Sequence, residues 1–220
     1  MSKRRLLRGS YSNIIDIYEK APDDLKLEGA NWYKDASIVA QNVGDILLDK
    51  AFHITDEPQA KLLGAGIIAC FSPQMVWEKN IRAANIFARD TNTKPVWITD
   101  RDYNKAIEMV KGFTFGVMSQ EFIMERLGEG AVKTRPFFMN IHNPIGTIKN
   151  NGVTIDRHAI AVYLNKIPNS LQVSRASRVE GNKQIQNSYK IASDKLGIHH
   201  NTLQATTWLE WRINKGSKND

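Results

Sequence analysis

Residues 60–71 read AKLLGAGIIACF, twelve residues with a single charge. A helix through this run has almost no polar side, and such a helix has to be enclosed by other elements. Its two glycines and several alanines permit close backbone approach. The run therefore predicts a central buried helix with the rest of a core built around it. Asp56 or Glu57 opens that helix, Pro58 suits its first turn, and Ser72-Pro73 ends it.

Elsewhere apolar residues recur at three- and four-residue steps, and no good run of alternating strand residues appears. Helices are expected over Ser12–Lys20, Glu28–Phe52, Gln74–Arg89, a segment capped by Thr99 or Asp100 and running to about Val110, and one capped by Ser119 and running to Leu127. Further helices are expected over Lys133–Ile141, Asp156–Leu164, Arg178–Leu196 with Gly197 as stop, and Asn201–Asn214. Asn143–Gly152, NPIGTIKNNG, is the clearest loop. The fold class is all-α, with about ten helices in two lobes. One lobe is expected over residues 50–130, the second from 1–49 plus 131–214, with a polar tail at 215–220. A ligand cleft is expected between them.

Lys and Arg outnumber Asp and Glu by 30 to 23, giving a net charge of +7. This suits a phosphate-bearing partner without proving one. Cys70 is the only cysteine, which excludes an internal disulfide and four-cysteine iron–sulfur ligation, and a reducing compartment fits. Within GIIACF it reads as a small buried hydrophobe. No apolar run has the length of a membrane span, and the basic start MSKRRLLRGS is not followed by the apolar core of a signal peptide. A cytoplasmic protein without cofactor or metal is expected. The histidines show no ligand spacing, and His199-His200 suits a cap or a solvated turn.

Three segments carry chemistry-bearing residues. LGEGAVKT, residues 127–134, places Gly128 and Gly130 in a tight turn between helices. Free N–H groups there, with Lys133 and Arg135, suit a phosphate, and a plain helix–helix turn fits as well. VTIDRH, residues 153–158, sets Asp156 at a helix start, where a carboxylate caps the helix and also suits stabilising positive charge. His158 fits a core hydrogen bond, an orienting role or a phosphate contact. IIACFSPQMVWEKN, residues 67–80, fixes Ser72 and Gln74 at the end of a rigid helix, ahead of Trp77.

The order of these segments resembles the helix–hairpin–helix DNA glycosylase superfamily, whose members carry LLSxQT-like, LPGVGxKTA-like and VDTHVxR-like stretches. The matching stretches are IIACFSPQMVWEKNIRAA, LGEGAVKTRPFF and VTIDRHAIAV, within about residues 60–165. The chain also resembles a bacteriophage-encoded glycosylase-like family through SPQxxWExN, KTRxFxxN, VTIDRHA and LQAxTW-like segments. It departs from the superfamily in Glu129 at an apolar hairpin position, in one extra residue before Lys133-Thr134, and in a longer polar loop at 140–152.

The resemblance implies a monofunctional DNA N-glycosylase acting on a damaged or phage-modified base in double-stranded DNA. Asp156 would stabilise the sugar cation and orient water, and His158 would support it. Gln74 would probe the opened duplex, with Ser72 and Trp77 beside it. Gly128, Gly130, Lys133 and Arg135 would hold the backbone. Lys133 matches a structural lysine of the hairpin and not the lyase nucleophile. Asn140 and His142 are candidate substrate contacts. Arg175, Arg178, Lys183 and Gln184 are candidates for phosphate, with charge that opposes a helix dipole unless an anion is near. Trp77, Phe137, Phe138, Tyr163 and Tyr189 are stacking candidates with core-packing alternatives. Trp208 and Trp211 read as core anchors. Two other functions stay open: a non-catalytic DNA-binding or phage–host interaction protein, and a helical structural protein.

Overall fold

A computed structural model describes residues 7–52, 56–144 and 152–216. The basic start of the chain, most of the 143–152 loop and the end of the polar tail lie outside these residues. The described residues form eleven α-helices and a closing π-turn, with no strand among them. No described helix is long and apolar enough to cross a membrane.

The chain forms two compact units. Unit 1 comprises residues 1–33 and 152–220, and unit 2 comprises 34–151. The 50–130 lobe expected from the sequence is therefore too short at both ends. In unit 2 the later part of helix α2 (Asp23–Phe52) packs on helix α3 (Glu57–Phe71) through paired small residues. A Cβ on Gly44 would run into the Ala60 carbonyl, and one on Gly64 into the Ala40 carbonyl. Helix α7 (Thr134–His142) packs on α3 as well, which brings residues past 130 into the same core.

Every residue of α3 from Leu62 to Phe71 is buried. Asp56 caps it through Gln59 N–H, with Pro58 in the first turn. Helices α4 (Trp77–Arg89), α5 (Asp100–Thr114), α6 (Gln120–Leu127) and α7 surround it. Thr99 caps α5 and Ser119 caps α6. Helix α5 continues past Val110 because Gly112 is not a stop. Its missing Cβ makes room for the Phe122 ring. Helix α4 starts at Trp77 and not at Gln74, because Gln74 sits in the left-handed region at φ +58° and breaks the helix there.

Unit 1 contains α1 (Tyr11–Lys20), the start of α2, α8 (Arg157–Leu164), α9 (Ser170–Ala176), α10 (Val179–Leu196), α11 (His200–Trp211) and the π-turn (Arg212–Gly216). Its core joins Ile14, Val153, Ile155, Tyr163, Ile185, Tyr189, Leu203 and Trp211. Helix α2 begins at Asp23, five residues before the expected Glu28. Asp23 and Asp24 sit in its first turn, Leu25 is buried, and Gly29 lets the backbone of Thr206 approach. Gly197 ends α10 in the left-handed region, and His199 caps α11, its Nδ1 accepting from Asn201 N–H at 3.3 Å.

Candidate functional site

In unit 2 the Ser-Pro-Gln turn and the Gly-Glu-Gly hairpin meet. Lys133 Nζ reaches the Ser72 carbonyl at 3.5 Å, and Trp77 meets Phe137 edge to face at 6.3 Å. Ser72 itself is buried and spends its hydroxyl on the Ala69 carbonyl at 2.9 Å. Its side chain ends α3 and does not reach outward. Gln74 is exposed, and its left-handed backbone holds it at the tip of the turn. That conformation is costly for a residue with a side chain.

The hairpin begins where Gly128 closes α6, at φ +96°. Its N–H donates to the Glu125 carbonyl at 2.9 Å. Ala131 N–H and Val132 N–H bond back to Gly128 and Gly130. The N–H groups of Gly130, Lys133 and Thr134 find no partner among the described residues, and α7 has no side-chain cap. Gly130 has an ordinary φ, and a Cβ there would meet nothing. No close approach among the described residues requires glycine at that position.

A cavity of about 340 Å³ lies behind the hairpin, lined by Arg101, Lys105, Thr134, the two glycines and Cys70 among others. Lys105 donates to the Leu127 carbonyl at 3.1 Å, and Arg101 Nε pairs with Asp102 at 3.2 Å. Arg135 Nε, in the first turn of α7, is buried and donates to no group among the described residues. Together these donors form a cation-rich junction with unspent N–H groups, which suits an anion.

Cys70 is buried with its thiol donating to the Asp102 carbonyl at 3.2 Å. Burial first, then the Asp102 charge, push its pKa up to about 12. The thiol is neutral at ordinary pH, as its reading as a small hydrophobe requires. Iodoacetamide at pH 8 is expected to leave Cys70 unmodified in the folded protein and to label it fully in urea, read by intact mass.

In unit 1 the extended run Val153–Ile155 is buried and feeds α8. Tyr33 anchors it. The Tyr33 phenol donates to Gln204 Oε1 at 2.8 Å and lies 3.0 Å from Thr154 Oγ1, all three residues being buried. Tyr33→Phe would leave these groups short of a partner, with an expected loss of about 1–2 kcal/mol in urea unfolding. Asp156 follows at the N-cap of α8. It is half-buried, and its Oδ1 accepts from Ala159 N–H at 2.7 Å. Burial pushes the phenol of Tyr189 up in pKa; its bond to Thr207 opposes this, and the charge of Asp156 adds to it.

His158 is half-buried, edge to face with Trp208 at 6.3 Å. Trp208 also meets Trp32 at 5.7 Å, and the Arg212 guanidinium lies 4.8 Å from its centroid. Trp208 is thus half-buried in an aromatic and basic cluster with Trp32, His158 and Arg212, while Trp211 alone is the core anchor. The sequence signal for this cluster is a step of four, from Gln204 to Trp208 on α11 and on to Arg212 at the start of the π-turn.

Other candidates fall into the core. Phe138, Tyr163 and Tyr189 are fully buried, Phe137 nearly so, and Asn140 is enclosed. They pack, and no base can stack on them as they stand. His142 stacks on Phe138 at 5.8 Å, and burial, then the charge of Lys61, lower its pKa. Arg178 is exposed at the N-cap of α10 and makes no side-chain cap bond. Gln184 is committed to the Leu7 carbonyl and the Tyr163 hydroxyl. Asp156, His158, Tyr163, Arg175, Arg178, Lys183, Gln184 and Tyr189 belong to unit 1, and Ser72, Gln74, Trp77, Gly128, Gly130, Lys133, Arg135, Phe137, Phe138, Asn140 and His142 belong to unit 2.

No curated protein matches the chain, and no solved structure matches it. The profile of DUF7178, described as a family of unknown function, matches residues 1–215. That span is nearly the whole chain, so the protein belongs to the DUF7178 family.

Proposed function

We propose that the chain is a DNA glycosylase-like enzyme. It hydrolyses the N-glycosidic bond of a damaged or modified base, including phage-modified bases, in double-stranded DNA after the base is flipped out. It works in the cytoplasm of a bacterium or a phage-infected host. The observation that carries this reading is Asp156. Its carboxylate stands at a helix start, half-buried, with Oδ1 held by one N–H and no cation paired to it among the described residues. A carboxylate so held faces developing positive charge without reorganising.

In this reading the Gly128–Gly130 hairpin and the start of α7 hold a backbone phosphate through free N–H groups, with Lys133 and Arg135 adding charge. Gln74 enters the gap left by the flipped base. His158, two residues on in the chain, supports the site and meets Trp208 edge to face.

The test is incubation of the full chain with DNA carrying hypermodified, methylated or deaminated bases, scoring alkali-labile sites. Sites at one class of modified base support the reading. Salt-dependent binding without cleavage on any DNA supports the second reading, a non-catalytic DNA-binding or phage–host interaction protein. That reading draws on exposed Glu129 at the hairpin tip and on the complete capping role of Asp156. Absence of both binding and cleavage contradicts both.

A further inference from the structure

In unit 2, Val96 and Trp97 form the tip of a turn between α4 and α5, closed by the Ile98 N–H donating to the Pro95 carbonyl at 2.9 Å. Pro95 and Ile98 are buried on either side. The tip residues are not: Val96 is 89% exposed and Trp97 41%. Turn centres ordinarily take Gly, Asn, Asp or Pro, and an apolar pair there adds nothing to the chain's own core. The loop is braced on both sides. The Tyr103 hydroxyl donates to the Thr91 carbonyl at 2.6 Å, Thr93 Oγ1 donates to Asp90 at 2.6 Å, and Lys94 pairs with Asp100.

The Arg82 guanidinium, from α4, lies over the Trp97 ring at 5.4 Å from its centroid. Lys79 and Arg89 share that helix, all three cations are exposed, and none makes an ion pair among the described residues. Glu78 is the one acid on α4. Asp90 and Asp100 are engaged within the loop. The apolar tip is small, with polar Asn92, Thr93 and Lys94 exposed ahead of it. A specific protein interface covers about 800 Å² on each partner, more than two side chains supply. A nucleobase matches one indole ring in size, and the phosphates beside it match the cations of α4. Stacking on an aromatic ring and cations along the backbone are the means by which unpaired strands are held. In a duplex the base faces are covered by their neighbours.

We propose that the Val96–Trp97 turn and Arg82 form a docking platform for single-stranded DNA. An unpaired base stacks on the exposed part of the Trp97 indole against Val96, and Arg82, Lys79 and Arg89 meet the phosphates. The choice of DNA over RNA rests on the proposed action on DNA, and the stacking itself does not.

The experiment is fluorescence anisotropy of a labelled oligodeoxythymidylate titrated with the full chain over a range of salt concentrations. Saturable binding is expected. Trp97→Ala is expected to weaken it about tenfold with the salt dependence unchanged, and Trp97→Phe to retain most of it. Arg82→Ala is expected to flatten the dependence of log affinity on log salt by about one phosphate contact. Both side chains are exposed, so urea midpoints are expected to match the wild type. No saturable binding at micromolar concentration, or unchanged affinity in Trp97→Ala, would overturn the proposal. So would tighter Trp97-dependent binding to an oligouridylate or to anionic phospholipid vesicles. Base release from modified duplex, scored in parallel, keeps the two claims apart. Release with no Trp97-dependent single-strand binding removes the platform alone, and Trp97-dependent binding with no release removes the glycosylase reading alone.

Discussion

Asp156→Asn is expected to lower base release by about 10³-fold while leaving DNA affinity within about twofold. Asparagine caps a helix as well as aspartate does, so the bond to Ala159 N–H and the start of α8 are retained. What disappears is the negative charge. In the proposed glycosidic cleavage that charge stabilises the sugar as it becomes cationic, and an amide oxygen would do this poorly. In the proposed reading DNA is held by the hairpin residues of unit 2, and its affinity does not depend on this side chain. Single-turnover rates and equilibrium binding, measured on the same modified duplex, separate the two effects. Because the fold is kept, a fall in rate reports chemistry and not unfolding.

Gly64→Val is expected to destabilise unit 2 by about 3 kcal/mol or more, the upper end of overpacking costs. Its added atoms would meet the Ala40 carbonyl, which belongs to a helix backbone and has no rotamer to move away. The reciprocal contact of Gly44 with Ala60 means that α2 cannot slide to relieve the clash without creating another. Urea unfolding followed by circular dichroism reads the change. Gly130→Ala is the control. It meets no atom and needs no positive φ, so its midpoint is expected to match the wild type while its DNA affinity falls. Equal stability for Gly64→Val and Gly130→Ala would contradict the packing described for α2 and α3.

Much of the helical pattern is written in short-range signals. AKLLGAGIIACF is enclosed because it has no polar face to present. Asp56, Thr99, Ser119 and Asp156 cap because their oxygens suit free N–H groups. Two boundaries moved for tertiary reasons: Gly112 lies inside α5 because Phe122 covers it, and α2 starts early because Leu25 and Gly29 pack into unit 1. Helix α9 was missed because SLQVSRA is short and polar. Its signal was the Asn169–Gln172 capping box just after Pro168.

The candidate site was legible in part. The segments that carry the Ser-Pro-Gln turn, the hairpin and the Asp156 cap are visible in the sequence, while the meeting of the turn with the hairpin comes from the Lys133–Ser72 and Trp77–Phe137 contacts. The fate of individual side chains is not legible. Whether Ser72 bonds inward, Asn140 is enclosed or Trp208 stays half-exposed depends on which neighbour arrives, and spacing along the chain does not encode that. The division at residues 33 and 151 was hidden for the same reason. One continuous helix, α2, serves both units, so no break in composition marks the boundary.

The most direct test of the central claim is mass-spectrometric detection of free base released from modified duplex DNA by the wild type and by Asp156→Asn. The account predicts release of one class of modified base by the wild type and its near-complete loss in the variant, with binding retained. Release at equal rates by both proteins would contradict the assignment of Asp156. No release by the wild type from any modified DNA would contradict the glycosylase reading itself.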